Sequence, residues 1–326
     1  MSPDDDARTR DRDRGQPYRV LALSGGGYLG LYSAAVLAAL EDIAGEPIGR
    51  RFDLIAGTSV GGILAAAVAF ELPLAPLVRF FVDHGTSVFS PRAKPSGTIG
   101  RLLDLSRSVL GPKYDHGALR AAIDAWLGEA TLGDALHPLV LPAVNVTRSL
   151  TKVFKTPHAA ASRGDEKLLV ADAVLAACAA PAYFPSVRIG SSLYADGGLF
   201  AVAPDQVALH EAEHFVGVDL ERVRMLSIGT ATMGYRPTEG VDAEAGAVGW
   251  LSDGRLILTL IAVQQQHVQA MMEDRLGSRY LRLDAPWPAD AGLGIDVATS
   301  DAARVLTDMA ARTVQALDRK RLAAFL

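Results

Sequence analysis

The residues that could do chemistry are one serine, one run of glycines and one aspartate. Ser59 sits in Gly57-Thr58-Ser59-Val60-Gly61, a G-x-S-x-G pattern that follows the apolar run Phe52 to Ala56 and opens into an alanine-rich stretch ending at Phe70. Strand, tight turn and helix in that order lift a serine hydroxyl clear of a sheet, and small glycines relieve the crowding on either side. The helix that follows turns its N-terminal amides toward the site and favours developing negative charge. Upstream, Ser24-Gly25-Gly26-Gly27-Tyr28-Leu29-Gly30 breaks a β-rich run. Having no side chains, Gly25, Gly26 and Gly27 can converge their N–H groups on one oxygen, as an oxyanion hole requires. The same string matches G-x-G-x-x-G, a phosphate cradle. No acidic residue stands ready to hold a ribose at the end of the next strand, however, and the serine turn already occupies that end. Ester cleavage is the stronger reading.

The base is the harder assignment. Seven histidines are present, and in a serine–acid–histidine triad one should follow on a late loop. The late ones, His210, His214 and His267, fall inside helical patterns. His210 and His214, one turn apart, have no third metal ligand nearby, so no metal site is expected. Asp196 is better placed: it ends a β run, and Gly197 and Gly198 leave its carboxylate uncrowded, able to act directly on Ser59. Asp-Gly-Gly is equally an ordinary turn string. The single cysteine, Cys178, lies in the apolar run Ala176 to Ala180 and reads as a small buried hydrophobe.

The elements that must position these residues follow from pattern. Tyr18 to Leu23 and Phe52 to Ala56 are each followed by a glycine turn and a helix (Leu31 to Leu40; the stretch after Gly61), which predicts a mainly parallel sheet with helices outside it, an α/β fold. Helices are expected at Leu77 to Val82, Leu119 to Leu127, Leu168 to Ala180, Pro204 to Val216, Val248 to Leu276 and Asp301 to Leu317. Strands are expected at Leu139 to Val146, Lys152 to Lys155, Val187 to Ile189, Leu193 to Ala195, Val223 to Ile228 and Tyr280 to Leu283. Residues 1–17 read as a disordered, charged tail and 18–326 as one domain. A loop-rich insertion at 84–116 is a candidate lid, with an amphipathic piece from Leu102 to Leu110.

With 49% hydrophobic and 21% charged residues among 326, the chain suits a folded globular domain. A formal net charge of -5 offers no general attraction to DNA or RNA. No apolar signal segment or uncharged span-length stretch is read, so a cytoplasmic protein with peripheral membrane contact is expected.

Four ordered blocks are similar to those of the patatin-like phospholipases: Ser24 to Gly30, Gly57 to Gly61, Ala179-Ala180-Pro181-Ala182-Tyr183-Phe184-Pro185, and Asp196-Gly197-Gly198. The resemblance spans residues 18–230. It implies a three-layer α/β/α fold and a Ser–Asp dyad of Ser59 and Asp196, with Gly25, Gly26 and Gly27 as the oxyanion loop. It also implies fatty acyl ester substrates, mainly glycerophospholipids, and no metal or cofactor. Leu29 departs from the family's usual Arg or Lys. Phe154-Lys155-Thr156-Pro157-His158, the Ala-Ala-Pro block and the tail past Gln264 further resemble the patatin-like effectors of bacterial anti-phage (CBASS-type) defence. That resemblance implies activation by a cyclic di- or oligonucleotide, with Thr156-Pro157-His158 and the 84–116 insertion as places to look for its site, and attack on the inner membrane; a homo-oligomer stays open. Two rivals remain at this point: a soluble ester or thioester hydrolase, and a catalytically weak ligand-sensing scaffold.

Overall fold

The computed structural model describes residues 15–89, 112–236, 250, 255–288 and 291–326. The expected tail up to residue 14, the piece from Leu102 to Leu110 and most of the 84–116 insertion lie outside these residues. Residues 84–88 form the last turn of a helix rather than loop.

The apolar runs become the centre of an eight-stranded sheet. β1 (Tyr18–Leu23) is flanked in parallel by β2 (Leu54–Gly57) and β7 (Val223–Ile228), with Val20 opposite Leu54 on one side and Met225 on the other. β8 (Tyr280–Leu283) extends the parallel part beyond β7, and β3 (Leu139–Asn145) extends it beyond β2. β4 (Leu150–Lys155), β5 (Val187–Ile189) and β6 (Ser192–Asp196) are antiparallel additions.

Parallel neighbours need crossovers, and helices supply them on both faces. They are α1 (Gly30–Ala44), α2 (Val60–Ala69), α3 (Leu74–Val88), α4 (Gly117–Leu127), α5 (Val170–Ala177), α6 (Asp205–His210), α7 (Arg255–Leu276), α8 (Ser300–Gln315) and α9 (Arg319–Leu322). The strand period of two sorts the core. Leu21, Leu23, Ile55, Leu226 and Ile228 pack with α1, α2, α3, α5 and α8, whereas Val20, Ala22, Leu54, Ala56 and Met225 pack with α6 and the C-terminal half of α7. The result is three layers, α/β/α. By length and composition Gly27–Ala44 could cross a membrane, but α1 buries Leu31, Tyr32, Val36, Leu37 and Leu40 in this core.

Local differences from the sequence reading have local causes. α3 starts three residues before Leu77 and carries Pro76 in its first turn, where a missing N–H breaks no helical bond. α6 passes into a π-helical turn, Glu211–Val216. α9 was not anticipated; its cap is Asp318, whose carboxylate accepts from the Lys320 and Arg321 amides.

One joint in the sheet positions the site. β4 covers one edge of β3 from Val140 to Asn145. The other edge is shared: β2 pairs with Leu139 and Val140, and β6 pairs with Ala143, Val144 and Asn145. Because β2 is parallel to β3 and β6 antiparallel, the two strands run head-on and their C-terminal ends meet beside Pro142. A Cβ on Gly197 would lie 2.3 Å from the Pro142 carbonyl oxygen, so this approach requires glycine.

Candidate active site

The end of β2 delivers Ser59. Its backbone sits at φ 55°, ψ −128°, a region that costs a non-glycine residue about 1–3 kcal/mol. The surrounding glycines make that conformation reachable. A Cβ on Gly57 would fall 2.1 Å from the Gly61 oxygen, and one on Gly61 would fall 2.2 Å from the Leu23 oxygen. The G-x-S-x-G spacing is therefore a packing requirement between the turn, the first turn of α2 and the end of β1. The Ser59 carbonyl accepts from the Gly62 N–H at 2.7 Å and from the Cys178 thiol at 3.0 Å, and the residue is only partly buried.

The end of β6 delivers Asp196. Its side chain lies within reach of the Ser59 hydroxyl, which lowers its pKa, and accepts from the Gly198 N–H at 2.6 Å. Its own N–H donates to the Ala179 carbonyl at 3.0 Å, which ties the carboxylate to the Ala-Ala-Pro block. Only 4% of Asp196 is exposed. Burial pushes its carboxyl from 3.8 up to about 6, and the Ser59 hydroxyl and the Gly198 N–H oppose that rise. Near neutral pH it is thus an ionised base of raised basicity, already within reach of the hydroxyl it would deprotonate. None of the seven histidines hydrogen-bonds Ser59 or Asp196: His137 engages Glu71, His116 the Pro185 carbonyl, His158 Thr156 and Glu211, and His210 stacks on His214. Cys178, although adjacent, is held as a thiol, because burial and then the nearby Asp196 charge raise its pKa.

The glycine run lies across the Ser59 turn. A Cβ on Gly25 would be 3.1 Å from the Ser59 Cβ, one on Gly26 would be 2.7 Å from Thr230 Oγ1, and Gly27 has φ +58° with the Ile295 carbonyl against it. The three amides are not equivalent. The Gly25 N–H donates to the Val202 carbonyl at 2.8 Å, so it is spent on the fold. Among the described residues, the Gly26 and Gly27 amides make no such bond, and they are the pair left to face an oxyanion. Leu29 is fully buried just before α1, so this position is part of the core.

Other predicted positions lie elsewhere. Thr156 and His158 are committed inward, to Glu211 and the Leu139 backbone. Among the described residues, Phe89 meets Tyr28 and Phe184, and Tyr114 meets Phe89 and Phe184. Gln264 was not singled out as a site residue. Its Nε2 donates to the Gly198 carbonyl and its Oε1 accepts from the Val202 N–H, each at 3.2 Å, clamping α7 to the Asp-Gly-Gly turn. Three consecutive glutamines directly after the largely apolar run Leu256 to Val263 are the signal that could have found it.

A strained serine near a buried carboxylate, beside two glycine amides that make no backbone hydrogen bond among the described residues, brings together groups suited to acyl transfer. The family model for patatin-like phospholipases matches residues 21–209. The chain belongs to that family and is a lipid ester hydrolase. It is 39% identical over 268 residues to a "cGAMP-activated phospholipase" of Pseudomonas aeruginosa, covering 82% of this chain and 78% of the relative. A Vibrio cholerae protein of the same description is 32% identical over 319 residues, covering 90% and 88%. A "cUMP-AMP-activated phospholipase" of Escherichia coli is 29% identical over 219 residues, covering 65% and 64%.

Proposed function

We propose that this chain hydrolyses acyl esters of membrane phospholipids through a Ser59 acyl-enzyme, and that a cyclic dinucleotide switches it on. The closeness of the Ser59 hydroxyl to the buried Asp196 carboxylate carries the chemical part of the reading. As Ser59 Oγ attacks the acyl carbonyl, its proton passes to Asp196, and the tetrahedral oxyanion forms against the Gly26 and Gly27 amides. Collapse breaks the ester C–O bond, and Asp196 returns the proton to the leaving lysophospholipid alcohol. Water then repeats the sequence on the acyl-enzyme, with Asp196 as base, and frees the fatty acid. No step requires a metal.

The surface around the site supports a membrane over a soluble ester. Leu199, immediately past Asp196-Gly197-Gly198, is 55% exposed, and Phe200 beside it is also exposed. On α7, held to the same turn by Gln264, Leu260 and Val263 are exposed too, and no Asp, Glu, Lys or Arg occurs from Leu256 to Met272. An apolar rim on a lipid hydrolase fits peripheral contact with the inner face of a bilayer. The nucleotide switch is supported by the descriptions of the relatives. The test is fatty-acid release from phospholipid vesicles by wild type, Ser59→Ala and Asp196→Asn, each alone and with cGAMP or cUMP-AMP. Release by wild type with one nucleotide, lost in both variants, is the expected result. Release that survives Ser59→Ala would overturn the mechanism, and release without any nucleotide would remove the switch.

A further inference from the structure

Behind the glycine loop lies a buried polar network that the reaction above does not use. Arg282 on β8, its side chain 5% exposed, donates through Nη1 to Ser24 Oγ (3.0 Å) and Ser227 Oγ (2.8 Å). Through Nη2 it donates to Gln265 Oε1 (2.5 Å) and Asp284 Oδ2 (3.0 Å). Gln265, buried on α7, also accepts from Thr232 Oγ1 at 3.2 Å. Its Nε2 faces Thr230 Oγ1 at 3.3 Å and the Gly25 carbonyl oxygen at 3.5 Å, and the Thr230 hydroxyl donates to that same oxygen at 3.4 Å. Both amide oxygen and amide nitrogen of Gln265 are thus oriented, and Gln265 and Thr230 converge on one backbone carbonyl, that of Gly25.

That carbonyl belongs to the peptide unit that also carries the Gly26 N–H. A trans peptide is planar, so fixing the Gly25 C=O toward Thr230 and Gln265 sends the Gly26 N–H the opposite way. A Gly–Gly peptide has no side chains to resist rotation, and rotating it would present a carbonyl oxygen where an oxyanion must form. The chain before it is already pinned, by Ser24 N–H to the Ile228 carbonyl and Gly25 N–H to the Val202 carbonyl. The two contacts to the Gly25 oxygen are long, so each is modest alone and the peptide is held by the two together.

We propose that Thr230, Gln265 and Arg282 are positioning residues that hold the Gly25–Gly26 peptide with its N–H aimed at the acyl oxygen. The proposal rests on the assignment of Ser59 as nucleophile and of the glycine loop as oxyanion hole.

The test uses variants that keep shape or charge. Thr230→Val removes the hydroxyl at nearly constant volume, and Thr230→Ser restores it. Arg282→Lys keeps a charge against Asp284 but cannot span Ser24 and Gln265 together. For each full-length variant, three quantities are read with and without cGAMP: the rate of Ser59 labelling by a fluorophosphonate probe, kcat and KM for a short-chain soluble ester, and the thermal midpoint. Thr230→Val and Arg282→Lys should lower labelling and kcat by about tenfold or more, with KM within about twofold. Thr230→Ser should stay within about threefold of wild type, and the acid limb of the pH profile should not move, because no member of the network touches Asp196. Wild-type rates in Thr230→Val overturn the proposal. Equal losses in Thr230→Val and Thr230→Ser also overturn it and assign Thr230 to packing. A wild type that is never labelled overturns instead the Ser59 assignment on which the proposal rests.

Discussion

Replacing Asp196 by Asn should abolish activity and, above pH 6, make the protein more stable. The carboxyl is buried and its pKa stands at about 6 rather than 3.8, which corresponds to about 3 kcal/mol of added cost for ionising it inside the fold. Between those two values the folded protein holds the proton more tightly than the unfolded chain, so this group's contribution to stability falls as pH rises from 3.8 to 6 and is level beyond. Asparagine keeps the shape, can accept from the Gly198 N–H and can donate to Ser59, yet never ionises. Urea unfolding of both proteins across pH 4 to 8 should therefore show Asp196→Asn more stable at pH 8 by up to about 3 kcal/mol, with the gap closing toward pH 4. In parallel, kcat/KM of the wild type on a soluble ester should have its acid limb near 6 and retain about a tenth of its maximum at pH 5. An acid limb near 4, or an Asn variant no more stable than wild type at pH 8, would refute the argument that burial sets the basicity of this carboxylate.

Other perturbations have equally specific outcomes. Gly61→Ala should cost about 3 kcal/mol or more, or prevent folding, because its Cβ would stand 2.2 Å from the Leu23 oxygen; Gly62→Ala, with 3.3 Å to the Gly57 oxygen, should be much milder in thermal melts. Leu260→Asp together with Val263→Asp should reduce vesicle hydrolysis by about tenfold or more while soluble-ester turnover stays near wild type, separating bilayer contact from chemistry. Glu211→Gln should destabilise by about 3 kcal/mol or more in denaturant melts, because it removes the buried carboxylate charge that pairs with the mostly covered Lys155 ammonium.

The sequence made legible whatever depends on local spacing. The Ser59 turn could be read because steric crowding at Gly57 and Gly61 leaves a signature in consecutive residues, and the strands β1, β7 and β8 because each is a short run dominated by apolar residues and interrupted by a single arginine. The preference for Asp196 over a histidine came from its place at a strand end. What could not be read was how the two residues meet. The head-on joint of β2 and β6 depends on which edge of β3 each strand takes, and no periodicity records an edge. The unequal glycine amides were hidden for the same reason: Val202, which occupies Gly25, is remote in sequence and adjacent only in space. Thr230, Gln265 and Arg282 look unremarkable singly, since a buried polar side chain is recognised by its partners.

Leu29 shows how such nonlocal support bears on the site. Taken as a string, a glycine loop without its basic residue suggests a decayed hydrolase. In the fold, position 29 is fully buried among the apolar residues at the start of α1, where an unpaired cation would cost several kcal/mol. A guanidinium reaches the loop from the opposite direction instead: Arg282 bonds Ser24, the residue before the three glycines, and is neutralised by Asp284 two residues along its own strand end. The charge near the loop is thereby separated from the helix that follows it. α1 gains an uninterrupted apolar face, and the loop keeps a cation whose four acceptors fix its place. A buried ion pair is a weak source of stability, so its retention here is better explained by the geometry it imposes on Ser24 and Gln265, and through them on the peptide that faces the substrate.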